Sequence, residues 1–435
     1  MGDQRKRVAI LGFGDIGRKT AEIISKNPDK YKFYGIATRS LTEPLVDICK
    51  ELQPAFVSVG SPSATGQLKV RLNRNKNKKN QAHIFFDEEG LTRISTLPDV
   101  DIVVNALSTS VGICATIEAV KHGKFVPIAN KESISIAGSV IMPLTKKHGM
   151  GRVFPIDSEI SAVERCISAG RDLDKDSKIQ MVFLPSSGGI FYDKEKYPIE
   201  RLHNVTPEET LEHKNWPDMG PDVKRYSALL ANKILEALEV HYFFDIPFDN
   251  IQVVIEKTSQ FHGGVLFSNG VLVSQLGPQD MKIPILHSLL SYDNSHRKSY
   301  HDKDEIIISE ARHLNFNTDS NILSSLNSLL GLKGLVFDIP DKARFPIIEF
   351  GMDALKEEGT MHAAITTAIE SSVQAFAEQK IRFTDVNTVV LKTIQVHRQI
   401  IQKHPDLDQI LSACDSAKET SSSIITDIEN ELKIK

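Results

Sequence analysis

The stretch Val8-Ala9-Ile10-Leu11-Gly12-Phe13-Gly14-Asp15-Ile16-Gly17 runs from four apolar residues through a glycine turn into a helical pattern. A G-x-G-x-x-G turn between a strand and a helix lets the backbone approach a pyrophosphate, and the helix N-terminus offers free N–H groups and partial positive charge. This context predicts a dinucleotide site made by Gly12, Phe13, Gly14, Asp15, Ile16 and Gly17. The alternative is a structural turn.

Outward from this turn, short apolar runs alternate with helical patterns over the first ~155 residues. Strands are expected at Val8–Leu11, Tyr34–Ala37, Ala55–Val59, Ile102–Ala106, Phe125–Ala129 and Val153–Ile156, with helices such as Gly17–Lys26 and Gly112–His122 between them. That alternation predicts an α/β fold with an N-terminal Rossmann-like, doubly wound parallel sheet. The second strand ends Ala37-Thr38-Arg39-Ser40. An NAD enzyme usually places Asp or Glu there for the ribose 2′-hydroxyl, whereas Arg39 and Ser40 suit a 2′-phosphate and so NADPH. An Arg39 that is merely exposed is the other reading.

From about Lys178 to Ser274 strand-like runs (Met181–Leu184, Val253–Ile255, Val265–Phe267, Val271–Val273) surround one long helix, roughly Lys224 to Phe244, predicting a central α+β domain. Ser291–Asp304 is polar and reads as linker or surface. After Pro346 four helical segments follow: Ile347–Glu358, Met361–Gln379, Val386–Lys403 and one from Leu407 onward. The expected domains are 1–156, 157–297, a linker over 298–344, and a C-terminal helical domain over 345–435.

With 435 residues, 41% hydrophobic and 25% charged, the chain is long enough for two or three cores. A net charge of −4 gives no overall basic character for nucleic acid or membrane. The basic run Arg71–Asn80 lacks interleaved aromatics and reads as a solvated loop. The start is polar, no run reaches the length of a membrane span, and the four cysteines are widely separated. These features lead to the expectation of a cytoplasmic protein with reduced thiols.

Pro155-Ile156-Asp157-Ser158-Glu159 follows a buried-looking strand. Carboxylates at i and i+2 of an extended segment point the same way, so Asp157 and Glu159 could converge on a hard cation such as Mg²⁺ or Mn²⁺. Surface charge is the alternative. In the long helix, Asn232, Lys233 and Glu236 fall within an arc of about 100°, which Leu229 interrupts, so a solvated face competes with a polar site. Ser186-Ser187-Gly188-Gly189 suits close approach of an anion. His213-Lys214-Asn215-Trp216-Pro217-Asp218-Met219-Gly220 carries the chain's one tryptophan in a Pro/Gly loop, as a lid over a ligand would, or as a loop anchor would. His262 stands alone.

Taken in order, these residues resemble a known family. The turn at Gly12, Ala129-Asn130-Lys131-Glu132-Ser133, Asp157-Ser158-Glu159, Ser187-Gly188-Gly189, His213…Trp216…Met219-Gly220, Ser227…Asn232-Lys233…Glu236, Gln275-Leu276-Gly277-Pro278-Gln279-Asp280-Met281 and Ile381-Arg382-Phe383-Thr384-Asp385 are similar to 1-deoxy-D-xylulose 5-phosphate reductoisomerases across nearly the whole chain. The resemblance implies an NADPH domain, a catalytic domain with a lid over 213–224, a linker and a helical C-terminal domain, as a homodimer. It also implies rearrangement of 1-deoxy-D-xylulose 5-phosphate and NADPH reduction to 2-C-methyl-D-erythritol 4-phosphate.

By the same resemblance, Asp157, Glu159 and Glu236 hold Mg²⁺ or Mn²⁺, and Ser158 and Lys131 meet the substrate hydroxyls. Ser187, Ser227, Asn232 and Lys233 bind its phosphate. His213, Trp216 and Met219 belong to the lid, His262 to the pocket, and Asn130 and Glu132 to the cofactor side.

The chain also departs from the family pattern. Its nucleotide turn is shorter than the usual one, and an extra residue lies between Trp216 and Met219. Ile160 stands for His, Glu256-Lys257-Thr258-Ser259 for His-Pro-Gln-Ser, Lys224-Arg225-Tyr226 for a segment ending in an acidic residue, and Thr367-Ala368-Ile369-Glu370 for Asn-Ala-Ala-Asn-Glu. Two further readings stay open on these grounds: a paralogous NADPH reductase acting on another phosphorylated or phosphonate hydroxy-ketone or aldehyde, and a catalytically inactive homologue.

Overall fold

The structure, a computed structural model, describes residues 3–72, 82–147, 149–212, 215–216, 220–295 and 335–434. The chain forms two compact units, each assembled from separate stretches: the described parts of Met1–Asn130, Ile141–Asp157 and Asp280–Gly331 make the first, and those of Lys131–Val140, Ser158–Gln279 and Leu332–Lys435 the second. The expected order of contiguous domains gives way to this interleaving. No helix among the described residues is long and apolar enough to cross a membrane.

In the first unit, β1 (Lys6–Leu11), α1 (Asp15–Lys26), β2 (Tyr31–Ala37), α2 (Glu43–Leu52), β3 (Phe56–Val59), α3 (Pro62–Leu72), β4 (His83–Phe86), α4 (Asp87–Thr96), β5 (Ile102–Asn105), α5 (Gly112–Lys121) and β6 (Phe125–Ile128) follow in turn; α6 (Lys131–Thr145) then precedes β7 (Arg152–Pro155). All seven strands are parallel, in the order β4-β3-β2-β1-β5-β6-β7. Val8, Ile10, Val57, Ile102 and Val104 are buried, as continuous apolar runs in a sheet covered on both faces must be. β4 was not among the expected strands: its apolar run is only Ile84-Phe85-Phe86, and both His83 and Phe86 are exposed. Of the basic run, Arg71 pairs with Glu43 at 3.0 Å, and residues 73–80 lie outside the described residues.

The second unit contains α7 (Ser158–Leu173), β8 (Ile179–Ser186), α8 (Pro221–Leu229), α9 (Asn232–Phe244), β9 (Ile251–Ile255), β10 (Phe261–Phe267) and β11 (Leu272–Leu276). Its sheet is mixed, in the order β11-β10-β8-β9, with only β8 and β9 parallel. The single helix expected over Lys224–Phe244 is two helices, because Leu230 takes a left-handed φ of 58° and closes α8. α10 (Lys282–Ser295) returns to the first unit, where Ile285 and Leu289 are buried in its core; Ser291 and Tyr292, expected in a polar linker, are the end of this helix. Most of the linker expected over 298–344 lies outside the described residues.

The terminal helices α11 (Ile347–Leu355), α12 (Met361–Ala377), α13 (Asp385–His397) and α14 (Leu407–Ile434) do not have a core of their own. They share one with the mixed sheet and α9: Phe383 meets Phe191 edge-on at 4.7 Å, and a Cβ on Gly351 would lie 2.8 Å from Ile234.

Candidate active site

In the first unit the strand order reverses on either side of β1, so β2 and β5 flank it and their C-terminal ends open a crevice where ligands of such sheets bind. The glycine turn lies there. Gly12 has φ +93°, and a Cβ on it would meet the carbonyl of Ala106, beyond β5, at 2.4 Å. A Cβ on Gly17 would meet the Gly12 carbonyl at 2.2 Å. Only glycine permits this close turn, which brings the N-terminus of α1 to the crevice. Phe13 and Ile16 pack on the core beneath, and Asp15 pairs with Lys19 at 2.7 Å. Arg39 and Ser40 follow β2 and are exposed, and among the described residues Arg39 has no ion-pair partner. Asn130 is buried and donates from its amide to the carbonyls of Leu107 (3.2 Å) and Thr109 (2.9 Å), bracing the loop after β5.

In the second unit three helices, α6, α7 and α9, bring charges together. Asp157, the last residue before the chain enters this unit, is not in an extended run with Glu159: Ser158 begins α7, so Glu159 lies in a first helical turn. The carboxylates converge nevertheless, with one oxygen each of Asp157, Glu159 and Glu236 within 4.8 Å of one another. Glu236 is fully buried on α9. Lys233, one turn earlier on α9, donates to Glu236 Oε2 at 2.6 Å and to Glu159 Oε1 at 2.9 Å. Lys131, at the start of α6, donates to Glu236 Oε1 at 3.1 Å. α6 reaches this position because Gly138 packs against the ring of Tyr242 on α9; a Cβ there would lie 2.4 Å from the ring. Asn232 donates to Glu236 Oε1, and its own Oδ1 is buried without a hydrogen-bond partner. Ser158 donates to Glu159 Oε2 at 2.5 Å.

At Glu159 and Lys233 burial opposes charge, and the pairing outweighs it. Desolvation disfavours ionised Glu159, but Lys233, Lys131 and the hydrogen bonds from Ser158 and Lys233 hold its carboxyl well below the usual range. Desolvation likewise works against the Lys233 ammonium, but Glu159 and Glu236 raise it overall. Three converging carboxylates form an oxygen-donor set suited to a hard divalent cation, and the buried Asn232 Oδ1 is a further oxygen lacking a partner. The residues present fit a magnesium-class ion.

The expected phosphate residues divide into two groups. The turn that follows Ser187 approaches Ser227, since a Cβ on Gly189 would meet the Ser227 carbonyl at 2.7 Å. Asn232 and Lys233, in contrast, turn their side chains to the carboxylates. Trp216 meets His262 edge-on at 6.2 Å, and His262 Nε2 lies 3.0 Å from the Gly277 carbonyl. His213 and Met219 lie outside the described residues. Glu132 belongs to the second unit, where burial pushes its carboxyl up against the pull of Lys131, and Asp222 adds to the rise. Asn215 and Glu256 carry contacts that no motif signalled, and Ile160, where the family has His, is a fully buried core residue.

Known proteins resemble this chain over nearly its whole length. Models for 1-deoxy-D-xylulose 5-phosphate reductoisomerase match residues 8–138, for its C-terminal domain residues 153–244, and for the DXP reductoisomerase C-terminal domain residues 276–420. A 1-deoxy-D-xylulose 5-phosphate reductoisomerase of Thermodesulfovibrio yellowstonii is 33% identical over 94% of this chain and 96% of its own length. The chain belongs to the 1-deoxy-D-xylulose 5-phosphate reductoisomerase family. A family member from Pelodictyon phaeoclathratiforme is 32% identical over 97% of this chain and 100% of its own. Among solved structures, a reductoisomerase in complex with NADPH, fosmidomycin and magnesium superposes with a TM-score of 0.81 at 29% identity, covering 97% of this chain and 98% of that one. The Zymomonas mobilis reductoisomerase in complex with NADPH gives 0.79 at 25% identity, covering 97% and 99%. The family's parallel sheet, mixed second sheet and terminal helices are those described above.

Proposed function

We propose that this protein converts 1-deoxy-D-xylulose 5-phosphate to 2-C-methyl-D-erythritol 4-phosphate, using NADPH and Mg²⁺ or Mn²⁺, in isoprenoid precursor biosynthesis. Family membership supports the reaction, and the observation in this chain that carries it is the buried convergence of Asp157, Glu159 and Glu236 with Lys131 and Lys233. A divalent cation bound by the three carboxylates supplies Lewis-acid polarisation of the substrate's ketone and hydroxyl oxygens. NADPH supplies the hydride that reduces the rearranged aldehyde, and the glycine turn with Arg39 and Ser40 binds it.

The chain's own residues do the remaining work. Lys131 places positive charge beside the reacting oxygens, and Ser158 offers a hydroxyl to the substrate's polar groups. Ser187 and Ser227 hold the phosphate, joined by Asn232 and Lys233 once a bound cation takes their place at the carboxylates, and this remote anchor's binding energy fixes the reacting carbons. Trp216 and His262 cover the pocket and exclude water from the aldehyde. Asn130 supports the cofactor crevice by bracing the loop after β5, and Glu132 supports the Lys131 end of the site.

We also infer a homodimer, since β11 is an outer strand of its sheet with Leu272 and Leu276 exposed, and a cytoplasmic location, which the four unbridged cysteines suit. The test is isotopic: NADPH deuterated at the transferable position should deliver its label to the methylerythritol phosphate product. Unlabelled product, or no product, would rule the reaction out.

A further inference from the structure

We propose that Asn215 is the positioning residue for Trp216, docking it on a loop that Glu256 shapes; this rests on the reading of Trp216 as a residue that covers the substrate. The Asn215 amide donates to the Lys257 carbonyl at 2.9 Å and to Ser259 Oγ at 2.8 Å. Both acceptors lie on the loop that follows β9. Side-chain amides bind two acceptors at once only when these are held at a fixed spacing, and this loop is held from three directions.

First, Glu256 folds it from within. Its carboxylate is buried and accepts the backbone N–H groups of Thr258 (2.7 Å), Gln260 (3.1 Å) and Phe261 (3.3 Å). Among the described residues it has no ion-pair partner, so its role is to order this turn. Second, Gln279 donates to the carbonyls of Thr258 (2.9 Å) and Ser259 (3.0 Å). Third, the Glu256 N–H donates to the Ser186 carbonyl at 2.8 Å, extending the parallel pairing of β8 and β9 and joining the loop to the end of the strand that leads into Ser187. Ser259 takes a left-handed φ of 54° and is buried, which turns its hydroxyl to Asn215.

Asn215 thus ties the residue next to Trp216 to a loop that is continuous with the proposed phosphate site. The Trp216 ring then rests against His262, itself fixed to the Gly277 carbonyl. Docking Trp216 before substrate arrives lowers the ordering cost of binding.

The chain's single tryptophan is its own reporter. Acrylamide quenching of Trp216 fluorescence is measured in the substrate-free, full-length protein and in two variants. Asn215→Asp keeps the shape but sets an acceptor against the Lys257 carbonyl. Ser259→Gly removes the hydroxyl where a left-handed φ suits glycine, so the loop is retained. Loss of these hydrogen bonds should raise the quenching constant at least about twofold in each variant, and raise KM for the sugar phosphate more than it lowers kcat. Quenching unchanged in both overturns the proposal. The fluorescence needs no turnover: an inactive protein whose variants release Trp216 keeps the docking and loses the reaction, whereas an active one with unchanged quenching keeps the reaction and loses the docking.

Discussion

Lys233 Nζ lies 2.6 Å from Glu236 Oε2 and 2.9 Å from Glu159 Oε1, joining two carboxylates that are 77 residues apart in sequence, 236 − 159. The i, i+3 step on α9 sets the first pair and the packing of α7 on α9 sets the second. Without a metal, this ammonium and that of Lys131 are the positive charge that makes a buried carboxylate cluster tolerable.

Lys233→Met should therefore destabilise the metal-free protein by about 3–5 kcal/mol, because it leaves Glu159 and Glu236 buried with too little counter-charge. Mg²⁺ should restore part of the loss. Denaturant melts of both proteins with and without the ion read this directly, and equal stability in the absence of metal would contradict the charge balance described.

Glu236→Gln removes one anionic ligand while keeping the shape of the side chain. Mn²⁺ affinity, followed by titration calorimetry, should fall by at least about 100-fold, and turnover with it. Unchanged affinity would take Glu236 out of the metal site.

The Glu370 carboxyl on α12 is pushed up to about 8 by burial and by Glu132, against the pull of Lys418. Tyr226 and Cys414 feel the same charge. One Glu370 oxygen is buried without a hydrogen-bond partner. With its folded pKa above its unfolded one, the group is neutral and harmless at acidic pH and costs stability as pH rises from about 4.3 through about 8. Glu370→Gln should gain on the wild type across that window by up to about 3–4 kcal/mol. A stability difference that does not change with pH would show that Glu370 does not titrate there.

Arg39→Asp should raise KM for NADPH by about tenfold or more and leave NADH nearly unaffected, since only the former carries the phosphate that a guanidinium binds as a charge-assisted pair. Parallel effects on both cofactors, measured by initial rates, would remove the 2′-phosphate from this position.

Much of the fold was legible because apolar runs report burial. The stretches Val8–Leu11 and 102–104 are buried, and neither holds a polar residue to obscure the run. In β4 the run is only Ile84-Phe85-Phe86 and neither end of the strand is buried, so the signal was too short to stand out. The break at Leu230 was hidden because Leu229, Leu230 and Ala231 are apolar and fully helical in pattern; a left-handed leucine leaves no mark of the kind glycine does. Convergence of Asp157 with Glu159 was legible, but its route was not, since the helix start at Ser158 depends on tertiary packing. Asn232 and Lys233 were identified as polar site residues, yet their partners across the fold follow from the approach of α7 and α6 to α9. Asn215 and Glu256 act through backbone groups, which a sequence carries at every position and so does not distinguish.

The measurement that tests the central claim most directly is the loss of NADPH absorbance in a mixture of this protein, 1-deoxy-D-xylulose 5-phosphate and Mg²⁺. The account predicts oxidation that requires both sugar phosphate and metal, stops on chelation, and yields 2-C-methyl-D-erythritol 4-phosphate. No oxidation in the complete mixture, from a protein that binds NADPH and Mg²⁺, would contradict it.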